Sequence, residues 1–263
     1  MKLGCNYSAE LIELITKQKI KVDYIKLGLF DMYKEGFHIS RSLCPVLLHG
    51  VGLNEHAGMK STDKINWEEI NDAIRLFKSP HIGFHLSTTS EDDWDGKTVE
   101  NDVAINRMIE VTKIWAKNIH VPFLVENVAY YGFKGTLRCA TDPAVINTVC
   151  RKANVGLLLD IAHARVSAHY RKEDVHEYIL SLPLDRVKEI HVVGVLNSKE
   201  GLRDKHVEMQ DEDYKLLEWV LGLTNPNNIT LEYGGPLPHF EGRSNIDELE
   251  RQLVCLMNIC KHY

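Results

Sequence analysis

Eight times along the chain a short, continuously apolar run rich in Val, Ile and Leu gives way to a polar turn and then to a stretch with apolar residues at helical spacing. The runs fall at residues 2–7, 22–28, 45–50, 81–87, 122–128, 155–163, 187–195 and 228–235. The helical stretches fall at 8–18, 31–41, 66–77, 99–116, 142–153, 173–182, 211–221 and 245–260. A strand with one wet face alternates apolar and polar residues, whereas these runs do not, so both of their faces must be covered, as in a parallel sheet beneath helices. Eight such units in 263 residues predict an α/β chain forming a single (β/α)8 TIM barrel over residues 1–263, in preference to an open doubly wound sheet. The nucleotide signatures of open sheets, a GxGxxG after the first strand or a GxxxxGK[ST], are missing.

Composition narrows the partners. The formal net charge of −6 gives no basic field to draw the chain to a phosphate backbone or an anionic membrane, so neither nucleic acid nor membrane is an expected partner. Six cysteines, at 5, 44, 139, 150, 255 and 260, are scattered without a CxxC pair, which fits reduced thiols in a cytoplasm. Cys255 and Cys260 read as buried packing residues on the last helix. No signal-peptide apolar region and no stretch of about 18 apolar residues appears, so the chain is expected to be soluble and cytoplasmic.

In a (β/α)8 barrel, chemistry sits at the C-terminal ends of the strands. Six consecutive apolar runs end there in His, Asp or Glu: His49, His85, Glu126, Asp160 with His163, His191, and Glu232. The loop after the seventh run adds Asp204 and His206, whose two-residue spacing in an extended segment projects both side chains to one side. One such residue is ordinarily a satisfied polar group at a strand edge. Nine at one barrel mouth would bury several charges at a cost of several kcal/mol each, and shared cations resolve that cost. Imidazoles and carboxylates without thiolates suit zinc, manganese or Fe(II).

Nine ligands are too many for one ion, so a multinuclear site is expected. Glu126, mid-way around the ring, is the natural bridge. His49, His85 and Glu126 are assigned to one ion, and Asp160, His191, Glu232 and Glu126 to the next. His163, Asp204 and His206 are assigned to a third, and Glu126 and His163 are the residues assigned to catalysis. Asn127 and Tyr130 are placed to line the pocket, His56 and His239 to stand in loops at the same face, and Arg203 to be either a clamp for a substrate anion or a surface residue. His81 is expected at the opposite barrel end, and His38, His120, His169, His176 and His262 on the surface. Specificity is assigned to the loops 52–64, 88–97 and 196–203.

The segments His49-Gly50-Val51-Gly52-Leu53, Glu126-Asn127-Val128, Leu157-Leu158-Leu159-Asp160, Val166-Ser167-Ala168-His169, Glu189-Ile190-His191 and Asp204-Lys205-His206, in this order, resemble the multinuclear non-heme iron-dependent oxidative enzymes, the MbnB-like family. The resemblance implies a xylose-isomerase-like barrel holding two or three iron ions and using O2 as co-substrate. It also implies a small-molecule or peptide substrate, typically a cysteine-containing ribosomal peptide, often delivered by a partner protein. Carried over by position, the iron ligands are His49, His85, Glu126, Asp160, His191, Asp204, His206 and Glu232. Position 163 departs from the pattern, because the family more often has Asn there and this chain has His163.

His163 also gives the chain a likeness to endonuclease IV, a trinuclear zinc phosphoesterase with Asp-x-x-His on the sixth strand and Asp-x-His after the seventh. The acidic net charge and the lack of basic loops oppose a grip on duplex DNA. A sugar isomerase or epimerase of the same superfamily needs fewer ligands than are present. A non-catalytic metal-binding barrel is the remaining alternative.

Overall fold

The apolar runs form strands that close into a barrel, and they do so at the expected places. In chain order the strands of the computed structural model are β1 (Lys2–Asn6), β2 (Tyr24–Leu27), β3 (Val46–His49), β4 (Ile82–His85), β5 (Phe123–Glu126), β6 (Gly156–Asp160), β7 (Val187–Val192), β8 (Gly194–Ser198), β9 (Gly201–Val207) and β10 (Asn228–Leu231). Eight of them pair in the closed order β1-β10-β7-β6-β5-β4-β3-β2, all parallel, while β8 and β9 form a separate antiparallel hairpin. The structure describes residues 1–50, 62, 65–88, 101–132, 136–199, 201–236 and 243–263.

The helices are α1 (Ala9–Thr16), α2 (Lys34–Leu43), α3 (Trp67–Phe77), α4 (Asn101–Asn118), α5 (Pro143–Ala153), α6 (Ile161–Arg171), α7 (Val175–Leu180), α8 (Asp211–Leu221) and α9 (Ile246–His262). Most begin where the sequence offers a side-chain acceptor for an orphan backbone N–H. Ser8 caps α1, Asn66 caps α3, Asp142 caps α5 ahead of Pro143, and Asn245 caps α9. Their apolar faces cover the strands, as where Trp115 of α4 stacks on Phe123 of β5 with ring centroids 5.7 Å apart and also meets Phe84 of β4 at 4.5 Å. No helix among the described residues is long and apolar enough to cross a membrane.

Several boundaries differ from the sequence reading, the eighth run for one ending at Leu231 instead of 235, and two of them differ for a clear local reason. The sixth strand was expected to run to 163 but stops at Asp160, whose Oδ1 accepts the backbone N–H of His163 at 2.6 Å and turns the chain at once into α6. The seventh stops at Val192, and the segment expected as a loop folds back as the β8–β9 hairpin. Its register slips between Gly194, paired with Val207, and Val195, paired with Asp204, so that Lys205 and His206 bulge out of the ladder.

The barrel interior is tight enough to select glycine at one position beside the site. A Cβ built on Gly83, the partner of His49 across β3 and β4, would stand 2.6 Å from Leu158 Cδ1 and 3.3 Å from His49 Cδ2. Gly83→Ala is therefore expected to destabilise the chain by about 1–3 kcal/mol through overpacking. Urea unfolding with an unchanged slope would read this, and wild-type stability would contradict it.

Candidate metal centre

Strand register brings the polar strand ends together before any side chain is considered. His85 pairs with Glu126 across β4 and β5, and Asp160 pairs with His191 across β6 and β7. Glu232 follows β10 directly, and the hairpin folds Asp204 and His206 back over the same mouth. All nine expected residues meet there. The imidazole centroids of His49 lie 5.2 Å from His85 and 5.5 Å from His191, and that of His85 lies 5.5 Å from His163.

Glu126 is the hub. Its Oε2 lies 2.5 Å from His49 Nε2 and 3.3 Å from His85 Nε2, while its Oε1 lies 3.4 Å from His191 Nδ1 and 3.5 Å from His163 Nδ1. Its two oxygens thus face two different groups of residues. Three sets present one ligand atom each within 4.8 Å of one another: His49, His85 and Glu126; Asp160, His191 and Glu232; and Glu126, Asp160 and His163. The first two bring together residues that the sequence reading grouped, without Glu126 in the second. In the third, His163 Nδ1 sits 2.9 Å from the carbonyl oxygen of Asn127, which only accepts, so Nδ1 donates there and Nε2 is the nitrogen left for the pocket. That Nε2 lies 3.2 Å from Asp204 Oδ2, and His206 Nε2 lies 3.5 Å from the same oxygen. His163 therefore turns Nε2 toward Asp204 and His206.

Local structure aims these atoms. Asp160 spends Oδ1 on capping α6 and leaves Oδ2 to face the site, and His163, three residues on, stands in the first turn of that helix. His206 adopts a left-handed φ of 50°, uncommon for a residue with a Cβ, and its Nδ1 donates to the carbonyl of Glu232 at 2.8 Å. Asp204 and His206 thus share the site through a bulge, whereas simple strand alternation was expected. Asn127 does not line the pocket. Its amide donates to the Asp160 carbonyl and its oxygen accepts the Asp160 N–H, both at 2.9 Å, tying the end of β5 to the end of β6.

The cluster is deeply buried and electrostatically unbalanced. Asp160 and His191 are fully buried, and Glu126, Glu232 and His163 nearly so. Burial pushes the Glu126 carboxyl up, but the imidazoles of His85, His49 and His191 hold it well below its usual range. Burial also pushes Asp204 and Glu232 up, yet His206 and His163 hold the first down, and Lys26 and His191 the second. Burial lifts Asp160 to about 7. Burial lowers the imidazoles, but carboxylates raise His191 to about 10 and His206 to about 9, and lift His163 well above its ordinary value. His49, desolvated and beside Lys26, falls to about 4. The field of the mouth thus favours added positive charge. Glu126 Oε1, Asp160 Oδ2, Asp204 Oδ1 and both ring nitrogens of His191 are buried and have no hydrogen-bond partner. Three carboxylate oxygens and the mouth-facing Nδ1 of His191, left without partners in one pocket, fit hard or borderline cations.

Two residues at the centre escaped the sequence reading. Lys26 of β2 is buried and paired with Glu232. Glu189 of β7 is 2% exposed and sits 2.5 Å from the equally buried His81, which faces the opposite barrel end as expected. A lysine in Tyr24-Ile25-Lys26-Leu27 and a glutamate two residues before His191 were the available signals, since period-two spacing puts 189 and 191 on one face. Arg203 lies between the rings of Tyr131 and Tyr170, at 5.3 and 5.5 Å, and bonds the Tyr170 hydroxyl, so it packs the hairpin. His38, His120, His169, His176 and His262 are exposed. Cys255 is only half-buried, unlike Cys260. His56, His239 and most of the loops 52–64 and 88–97 lie outside the described residues.

Residues 2–252 match the family model described as "RiPP precursor modification enzyme MbnB/TglH/ChrH". A UPF0276 protein of Bordetella pertussis is 26% identical over 88% of this chain and 86% of its own length, and one of Rhizobium meliloti is 27% identical over 74% and 65%. Among solved structures, an L-ribulose 3-epimerase superposes with a TM-score of 0.65 at 12% identity, over 98% of this chain and 93% of its own. A xylose isomerase domain protein from Alicyclobacillus acidocaldarius gives 0.62 at 11%, over 98% and 97%. At such identities these likenesses establish the xylose-isomerase-like barrel and nothing of the reaction.

Because the Asn127 side chain bonds both the N–H and the C=O of the buried Asp160, Asn127→Ala is expected to cost about 1–3 kcal/mol. Thermal and urea unfolding would measure the loss. A change below about 1 kcal/mol would show that the brace is dispensable.

Proposed function

The chain belongs to the MbnB/TglH/ChrH family of RiPP precursor modification enzymes, and from that premise we propose that it is a multinuclear iron-dependent oxidative enzyme that uses O2 to modify a cysteine-containing peptide. The observation that carries the metal part of this reading is the convergence of partnerless buried atoms of Glu126, Asp160, His191 and Asp204. His49, His85 and Glu126 would hold one ion, Asp160, His191 and Glu232 with the other oxygen of Glu126 a second, and His163, Asp204 and His206 a third. Bound iron supplies electrons for dioxygen and a Lewis-acidic position for a substrate thiolate.

The chain's own residues do the rest. Glu126 would link the ions, because each of its oxygens faces a different group of imidazoles. The Asn127 and Glu232 carbonyls fix the rings of His163 and His206 through Nδ1, so that Nε2 of each is presented to the pocket. The His85 side chain is 34% exposed and that of His206 22%, against 0–1% for Asp160, His191 and Glu126, so these two imidazoles are the ones a substrate would reach first. The packed floor behind it excludes water from the reacting groups.

Protein purified without oxygen is expected to carry two or three irons per chain and to consume O2 in the presence of a cysteine-containing peptide. Zinc in the same amount, without oxygen consumption, would favour the phosphoesterase reading that Asp160, His163, Asp204 and His206 also support. An absence of bound metal would refute the site. Glu126→Gln is expected to lower the content by more than one ion, and full iron content would refute the bridge. His163→Asn is expected to remove one ion, so unchanged content would mean that His163 holds none.

A further inference from the structure

Glu189 is a carboxylate in the middle of the barrel that the site described above leaves unexplained. Its Oε2 lies 2.5 Å from His81 Nε2, and its Oε1 accepts from the Thr230 hydroxyl at 2.5 Å and lies 3.3 Å from His191 Nε2. Apolar side chains would fill this space without the desolvation that an ionised group pays, so packing alone does not account for the charge. The other nitrogen of His191, Nδ1, points the opposite way, 3.4 Å from Glu126 Oε1 and 3.3 Å from Glu232 Oε1. His191 therefore stands between one carboxylate on its floor side and two at the mouth.

We propose that Glu189 is the positioning residue that commits His191 to ligate a metal ion through Nδ1, with His81 and Thr230 holding Glu189 in place. The inference rests on the reading of His191 as a metal ligand. A neutral imidazole has one N–H and one lone pair. A carboxylate opposite Nε2 keeps the proton there and turns the lone pair on Nδ1 toward the mouth, which is how outer carboxylates orient metal-bound histidines in general. The 3.3 Å contact is not by itself an aligned hydrogen bond, and an ion held by Nδ1 at the mouth would have to turn the ring into line with Glu189. His81, at the opposite mouth, gives the arrangement a second anchor: His81, Glu189 and His191 form one column from the rear of the barrel to the metal centre.

The test uses the full chain loaded with Zn(II), a diamagnetic probe, and compares wild type with Glu189→Gln and His81→Gln. Metal stoichiometry and affinity are read by equilibrium dialysis, and the tautomer of His191 by long-range 1H–15N correlation in histidine-labelled protein. In Glu189→Gln the ion at His191 is expected to bind about 10- to 100-fold more weakly while the ion at His49 and His85 is retained, and the Nε2–H signal of His191 is expected to move or split. His81→Gln is expected to give the same pattern more weakly, and it carries the test should Glu189→Gln fail to fold. Wild-type affinity together with an unmoved His191 signal in both variants would overturn the inference, as would ligation of His191 through Nε2 in the wild type. Wild-type protein that takes up no metal would instead overturn the metal reading itself.

Discussion

Glu126 and the carboxylates around it set the terms for the whole barrel mouth. A fully desolvated carboxylate is tolerable only when charge and hydrogen bonds compensate it, and here Glu126, Asp160, Asp204 and Glu232 share one pocket. The surrounding residues answer that constraint from several directions. Lys26 reaches in from β2 to pair with Glu232, imidazoles gather on both oxygens of Glu126, and Asp160 is anchored by its cap on α6 and by the Asn127 brace. The parallel register supplies the positions, since residues at the ends of neighbouring strands necessarily stand side by side.

The barrel and the mouth were legible in the sequence because both follow from periodicities. Continuous apolar runs separated by amphipathic stretches allow few architectures, and a polar residue at the end of each run marks one face of the barrel. What the sequence concealed depends on backbone events shorter than a strand. The Asp160 cap ended β6 three residues early and moved His163 onto a helix. A bulge with positive φ at His206 replaced the alternation expected between Asp204 and His206. Lys26 and Glu189 were hidden for another reason: a charged residue inside an apolar strand has no signature until the opposite wall of the barrel supplies its partner, Glu232 in one case and His81 in the other.

The likeness to sugar epimerases and isomerases separates scaffold from chemistry. Barrels of the same shape place functional groups at the same end, so superposition alone is silent about the reaction. What particularises this chain is the number and mutual placement of its imidazoles and carboxylates, which exceed the needs of one ion, and the hairpin that brings Asp204 and His206 over the strand ends.

Orientation of the imidazoles is settled from outside the pocket. A histidine offers two nitrogens, and the partner of one decides what the other can do. His163 and His206 spend Nδ1 on backbone carbonyls, which accept and never donate, so their Nε2 atoms are left for the pocket. His191 sits the other way round, with Nε2 toward Glu189 and Nδ1 toward the mouth. Strand register thus fixes where each ring stands, and groups just behind the rings fix which atom faces inward.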